Sequence, residues 1–168
     1  MKRGALYLLL FAALAGCSRA KPKGWIEWTS DDWGVSVIFP YAPEKTVAPS
    51  IRGTVRSEAF TAGDAVRYQL ICIELIDELK TNADIERSLD SVKAAVEKNG
   101  AGKLREERRD NLGSCPGKRF VFDTRDGRVY TYRCVIRDAR TYALGVVSTK
   151  AKASAPEVQQ FLESLRFK

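Results

Sequence analysis

Hydrophobic and polar positions change rhythm several times along the chain, and each rhythm predicts an element. Residues 25–28 and 33–39 read as short strands, the second stopped by Pro40. Residues 41–50 carry two more prolines and read as loop, with a short strand around 45–47. Residues 54–60 and 65–75 predict a hairpin around Ala62-Gly63-Asp64. Within its second arm, the stretch Val66 to Ile73 becomes continuously apolar from Leu70 on, the mark of a central strand covered on both faces. The period then shifts to that of a helix over residues 81–98, where Ile85, Leu89, Val92 and Val96 form one stripe. Thr81 or Asn82 can cap its start, Asp84 and Glu86 suit its positive end, and Gly100 follows as a stop.

Four more strands follow, over residues 103–111, 118–124, 128–137 and 140–149. Asp126-Gly127 and Asp138-Ala139 mark tight turns, so the last three strands form an antiparallel meander. Phe120 facing Tyr132 and Phe122 facing Tyr130 would make an aromatic ladder on one face. The stretch from Lys103 to Asp110 carries charge on both faces, which suits a sheet edge. Ser154-Ala155-Pro156-Glu157 predicts a capped helix start, and Val158, Phe161, Leu162 and Leu165 form its stripe. The elements sum to an α+β fold: an antiparallel β-sheet flanked by two main helices, at least one of which covers a face.

The N-terminus follows different rules. Lys2 and Arg3 precede an apolar run from Ala5 to Leu14, about ten residues long where a membrane-spanning helix needs roughly 20. That is the layout of a secretory signal. The run ends Leu14-Ala15-Gly16-Cys17, which resembles the lipobox of bacterial lipoproteins. The resemblance implies diacylglyceryl transfer to the Cys17 thiol and cleavage before it. Residues 1–16 are then a signal peptide, 17–23 a lipidated cysteine with a short tether, and 24–168 a single globular domain of ordinary size. The competing reading is a plain leader, or a short buried helix, with Cys17 incidental. A lipoprotein sits in the cell envelope, anchored to a membrane. Ser18, a residue other than Asp after the cysteine, points to the outer membrane facing the periplasm in a Gram-negative cell.

Composition narrows the chemistry. The formal charge of +7 includes Lys2 and Arg3, which leave with the leader. In the envelope this balance argues against nucleic acid and for a solvated basic surface or contact with anionic headgroups. Arg19, Lys21 and Lys23 lie beside the anchor, where each basic side chain adds about 1 kcal/mol near a negative surface. Trp25, Trp28 and Trp33 follow closely and read either as membrane or partner contacts or as packing at the sheet edge. Histidine is absent from the chain. That removes Ser-His-Asp and Cys-His catalysis and histidine-based metal sites. No catalytic residues, metal ligands or cofactor sites are assigned. Beyond Cys17, Cys72, Cys115 and Cys134 allow one disulfide in an oxidising compartment, and spacing does not choose the pair. Tyr130, Tyr132 and Tyr142 with Arg133 read as groove lining or as core packing.

The order of elements, with Gly34-Val35-Ser36-Val37-Ile38-Phe39-Pro40, the loop Gly113-Ser114-Cys115-Pro116-Gly117 and the terminal Phe161-Leu162-Glu163-Ser164-Leu165-Arg166-Phe167, resembles the PsbP-like α/β/α sandwich. The resemblance spans nearly the whole chain after the leader and carries over no catalytic residue. It implies a non-catalytic accessory or protein-binding factor near a membrane complex. The alternative is a carrier holding a small apolar ligand or lipid between the sheet and a helix.

Overall fold

A computed structural model describes residues 24–46, 48, 54–75, 79, 81–98 and 102–168. Cys17, Arg19, Lys21 and Lys23 lie outside the described residues. In chain order the elements are β1 (Ile26–Ser30), β2 (Val35–Phe39), β3 (Glu44–Thr46), β4 (Thr54–Ala62), β5 (Arg67–Leu75), α1 (Asn82–Val96), β6 (Lys103–Arg109), β7 (Gly117–Asp123), β8 (Arg128–Arg137), β9 (Arg140–Thr149), α2 (Pro156–Leu162) and β10 (Arg166–Phe167). They form an antiparallel seven-stranded sheet ordered β3-β4-β5-β9-β8-β7-β6 and a three-stranded sheet ordered β1-β2-β10.

The period-two pattern of the large sheet feeds two separate cores. Leu70, Cys72, Val135, Leu144 and Val146 point to one face, where β2 and α2 cover them with Val35, Val37, Phe39, Phe161 and Leu162. Ile71, Ile73, Phe120, Phe122, Cys134 and Ala143 point to the other, under Leu89 and Val92 of α1. Strand β5 therefore supplies both cores, as its continuous apolar run predicts. The aromatic ladder is in register: Phe120 lies opposite Tyr132 and Phe122 opposite Tyr130. Gly145, opposite Tyr132, makes room for that ring. A Cβ there would sit 2.4 Å from the ring's Cε1. The charged strand β6 forms one edge of the sheet, opposite β3.

The fold departs from the sequence expectation at three points. Strands β1 and β2 do not join the main sheet; they pair with each other and form a second layer over one face. Helix α2 stops at Leu162 rather than running through Leu165, although Leu165 stays fully buried. The chain turns because Ser164 Oγ donates to the Phe161 carbonyl at 2.7 Å and accepts from the Ile38 N–H at 3.1 Å, tying the helix end to β2. Arg166 and Phe167 then pair with Ser36 and Val35 as β10. The start of α2 is capped by Ala155 without a side-chain bond, so Ser154 does not serve, standing one residue too early. Helix α1 carries a full capping box between Thr81 and Asp84.

Candidate functional site

The three tryptophans separate. Trp33 is 1% exposed and belongs to the core, which corrects its reading as a membrane or partner contact. The tight turn Asp31-Asp32-Trp33-Gly34, closed by the Gly34 N–H on the Asp31 carbonyl, places it under the large sheet. Its indole N–H donates to Glu58 Oε2 at 2.9 Å, and its carbonyl accepts from the Tyr142 hydroxyl at 2.8 Å. The guanidinium groups of Arg56 and Arg140 lie over its ring at 4.9 and 5.4 Å. The indole bond, with support from Arg56 and Lys45, outweighs partial burial and holds the Glu58 carboxyl at about 2. Asp31 and Asp32 stay at the surface and bond Lys168 and Arg56, as turn residues rather than an acid/base pair.

Trp25 and Trp28 are half-buried and keep an accessible side. Trp28 packs on Phe39 and Phe60, and Trp25 meets Tyr68 edge-on with ring centres 6.1 Å apart. Beside Trp25 runs an open groove of about 1160 Å³ between the β4–β5 hairpin tip, the loop before β3 and the start of α2. Tyr41, 61% exposed, and Tyr68 stand on its walls, and Glu44, Asp64 and Glu157 on its rim. Among the described residues none of these three carboxylates takes part in an ion pair. Ile26 and Tyr41 are the two large hydrophobic residues left exposed among the described residues, and both lie near the chain's entry into the domain.

Two further polar clusters do structural work. Lys118, on β7, reaches Glu86 and Asp90 of α1 and Glu107 of β6 at 2.8–3.1 Å. Burial pulls its pKa down, but those three carboxylates push it up further, so it stays charged. Arg119 and Arg133 share Asp110, and Arg119 also bonds Gln159 of α2. Arg133 reaches the carbonyls of Leu162 and Asn111, while its Nε is buried without a partner. These groups hold α1 and α2 against the sheet. The tyrosines do not form a shared groove, since Tyr132 enters one core and Tyr142 the other.

The disulfide expectation is also corrected: Cys72, Cys115 and Cys134 are free thiols. A disulfide needs Cα atoms within about 7 Å, and adjacent strands lie about 4.8 Å apart. Strand β9 separates β5, with Cys72, from β8, with Cys134, and the two side chains enter opposite cores. Cys115 precedes β7, two strands beyond β9, and packs on the Cys72 side of the sheet. Burial pushes the Cys134 thiol up to about 12 and raises that of Cys72 as well. Neither is a poised nucleophile.

The groove was missed in the sequence because its residues come from four separate stretches. Its signals were Trp25, read as a contact residue, and Tyr41, an aromatic inside a proline-bounded loop. Among the described residues no helix is long and apolar enough to cross a membrane, and no group of three or more acidic or cysteine side chains is placed to hold a metal ion.

No protein-family model matches the chain, and no curated protein matches it. Among solved structures it is similar to the solution structure of cyanobacterial PsbP (CyanoP) from Synechocystis sp. PCC 6803, with a TM-score of 0.62 at 12% identity over 92% of this chain and 99% of that one. A Pseudomonas aeruginosa protein of unknown function, PA94, aligns with a TM-score of 0.42 at 16% identity over 79% and 88% of the two chains. The first likeness, covering both chains almost end to end, makes the fold PsbP-like.

Proposed function

We propose that this protein is a lipid-anchored accessory factor of the bacterial envelope that acts by contact with a protein partner beside a membrane complex. The observation that carries the reading is that both cores are closed. Side chains of α1, α2 and the small sheet fill each face of the large sheet, with Phe39, Phe120, Phe161 and Leu162 fully buried. A carrier of an apolar ligand would need that space, since such sites are mostly apolar and enclose their ligand. The groove beside Trp25 is open and has charged residues in its lining. With no histidine in the chain, and with burial raising the Cys72 and Cys134 thiols, what remains to a partner is surface.

The anchor follows from Leu14-Ala15-Gly16-Cys17. Two or three acyl chains hold a protein firmly where a single chain does so only marginally. The tether from Cys17 to Lys23 is seven residues and spans roughly 25 Å at most, which keeps the domain at the bilayer. The test has two arms. Cys17→Ser should abolish palmitate labelling and release the protein from the membrane fraction; retention of either overturns the anchor. Crosslinking in intact membranes should recover a reproducible protein partner. Recovery of a bound lipid from the folded domain, with no partner, favours the carrier reading instead.

A further inference from the structure

We infer that one end of the large sheet is a membrane-contact surface, an exposed basic strip that lies against anionic lipid headgroups. Strand register defines that end. Arg67 lies opposite Val147, Thr149 opposite Arg128, and Asp123 opposite both Val129 and Lys103. The start of β5, the end of β9, the start of β8, the end of β7 and the start of β6 therefore form one row, roughly 20 Å long at about 4.8 Å per strand spacing. Lys150 and Lys152 stand in the short 3-10 turn that leaves β9, Arg125 in the turn between β7 and β8, and Lys98 and Lys103 beside Arg125 in one recess. Each is exposed, and none has an ion-pair partner among the described residues. Away from this end the described lysines and arginines are engaged, as Arg87 is with Asp84, Arg109 with Glu86, Lys168 with Asp31 and Arg166 with the carbonyls after α2. The row's own acids are also taken, Asp123 by Arg105 and Asp126 by Arg128. Beside the strip that leaves Glu97 as the carboxylate with no cation of its own among the described residues.

Two observations select a bilayer over an acidic protein. The strip offers charge without an anchor: the exposed large hydrophobic side chains among the described residues are Ile26 and Tyr41, and neither lies in it. Protein interfaces bind through buried aromatic or arginine anchors in pockets, whereas headgroups need only positive charge held near their surface. The second observation is where the described chain begins. Trp25, one residue after that start, meets Tyr68 beside Arg67, at the same end of the sheet. The direction toward a bilayer rests on the anchored reading, in which a tether of roughly 25 Å at most limits the distance from lipid to this end. Charge also sets the tilt. The free acids Glu44, Asp64 and Glu157 are gathered in the groove beyond Lys152, where the same headgroups repel them. The domain therefore leans on its β6–β8 side and leaves the groove open to a protein partner.

The experiment uses the chain from residue 17 onward carrying Cys17→Ser, so that its failure is separate from failure of the anchor, which palmitate labelling reads. Binding is measured by sedimentation with vesicles of phosphatidylglycerol and phosphatidylcholine at low salt, and circular dichroism checks the fold of each variant. Each lost cation should weaken binding by up to about fivefold, so Arg125→Gln, Lys150→Gln, Lys152→Gln should bind roughly tenfold or more weakly. Arg87→Gln, Arg109→Gln, Lys168→Gln removes the same charge away from the strip and should stay within about twofold of the parent. Binding should vanish near 1 M salt, where screening acts within about 3 Å. Equal loss in the two variants overturns the proposal, since net charge alone would then explain binding. So does a strip variant that binds like the parent, or equal binding to phosphatidylcholine alone. No binding by the parent overturns it too, and would assign the strip to an acidic protein.

Discussion

Burial of an indole leaves its N–H in need of an acceptor, and at Trp33 the acceptor is a carboxylate that brings its own cations. Glu58 therefore couples the core to pH. Its folded pKa, about 2, is depressed from 4.5, so its contribution is fully present above pH 4.5 and is lost as pH falls toward 2. The shift corresponds to an upper bound on the order of 3 kcal/mol. Glu58→Gln keeps an acceptor for Trp33 but loses the ion pairs with Arg56 and Lys45. Urea unfolding should find the variant about 1–3 kcal/mol less stable at pH 7 and equal to the parent near pH 2. A gap that persists at low pH would show that the carboxylate's charge is not the source. The cysteines give a second test at this scale. In a chain carrying Cys17→Ser, a thiol reagent should label Cys115, which is partly accessible, in the native state and reach Cys72 and Cys134 only on unfolding. A total below three thiols in the unfolded chain would restore the disulfide. Sequence spacing left that pairing open because it carries no strand order; the order β5-β9-β8-β7 decides it.

Elements with a local cause were legible, and elements with a distant cause were not. Helix α1 was visible in its apolar stripe and its Thr81 cap, and the meander in its turn residues, where Gly127 adopts φ +79° and Asp138 φ +56°. Strand β10 was invisible because it exists only by pairing with β2, some 130 residues earlier, and nothing near residue 166 encodes that partner. The attachment of α1 was hidden for a similar reason. Lys118 reads as a polar strand residue, yet its ammonium is the point where α1, β6 and β7 meet. Lys118→Met preserves the apolar stem and leaves Glu86, Asp90 and Glu107 facing one another. The variant should lose about 2 kcal/mol at pH 7, and the loss should shrink in acid as Asp90 and Glu107, whose pKa values contact with Lys118 lowers, take up protons. A loss that does not change with pH would assign the effect to packing. Gly145→Ala tests the ladder: a Cβ pressing on the Tyr132 ring should cost about 1–3 kcal/mol of overpacking.

At the scale of the whole molecule, one sheet serves two cores of unequal strength. The face under α2 and the small sheet buries Trp33, Phe39, Phe161, Leu162 and Leu165 nearly completely. Among the described residues the opposite face is covered mainly by α1, of which only Ser88, Leu89 and Val92 are buried; Ile85 and Val96 pack beside them, and the charged contacts of Lys118 and Lys93 add to the hold. Opening free energies follow buried apolar contact, so the two faces should not open together. Hydrogen exchange should find β5, β8 and β9 protected to the level of global unfolding, since their residues belong to both cores, while the amides of α1 exchange by a cheaper local opening. Two truncations separate the faces. Phe161→Ala should cost about 3–5 kcal/mol of global stability and lower protection throughout. Leu89→Ala should cost less globally and chiefly increase exchange within α1. Equal protection of α1 and the central strands would mean that the Lys118 contacts fasten the helix as firmly as a core does. The sequence pattern places apolar stripes on both helices and does not rank them, because rank depends on how many layers each stripe meets. That asymmetry leaves a firm side, which carries the groove beside Trp25, and a looser side beneath α1.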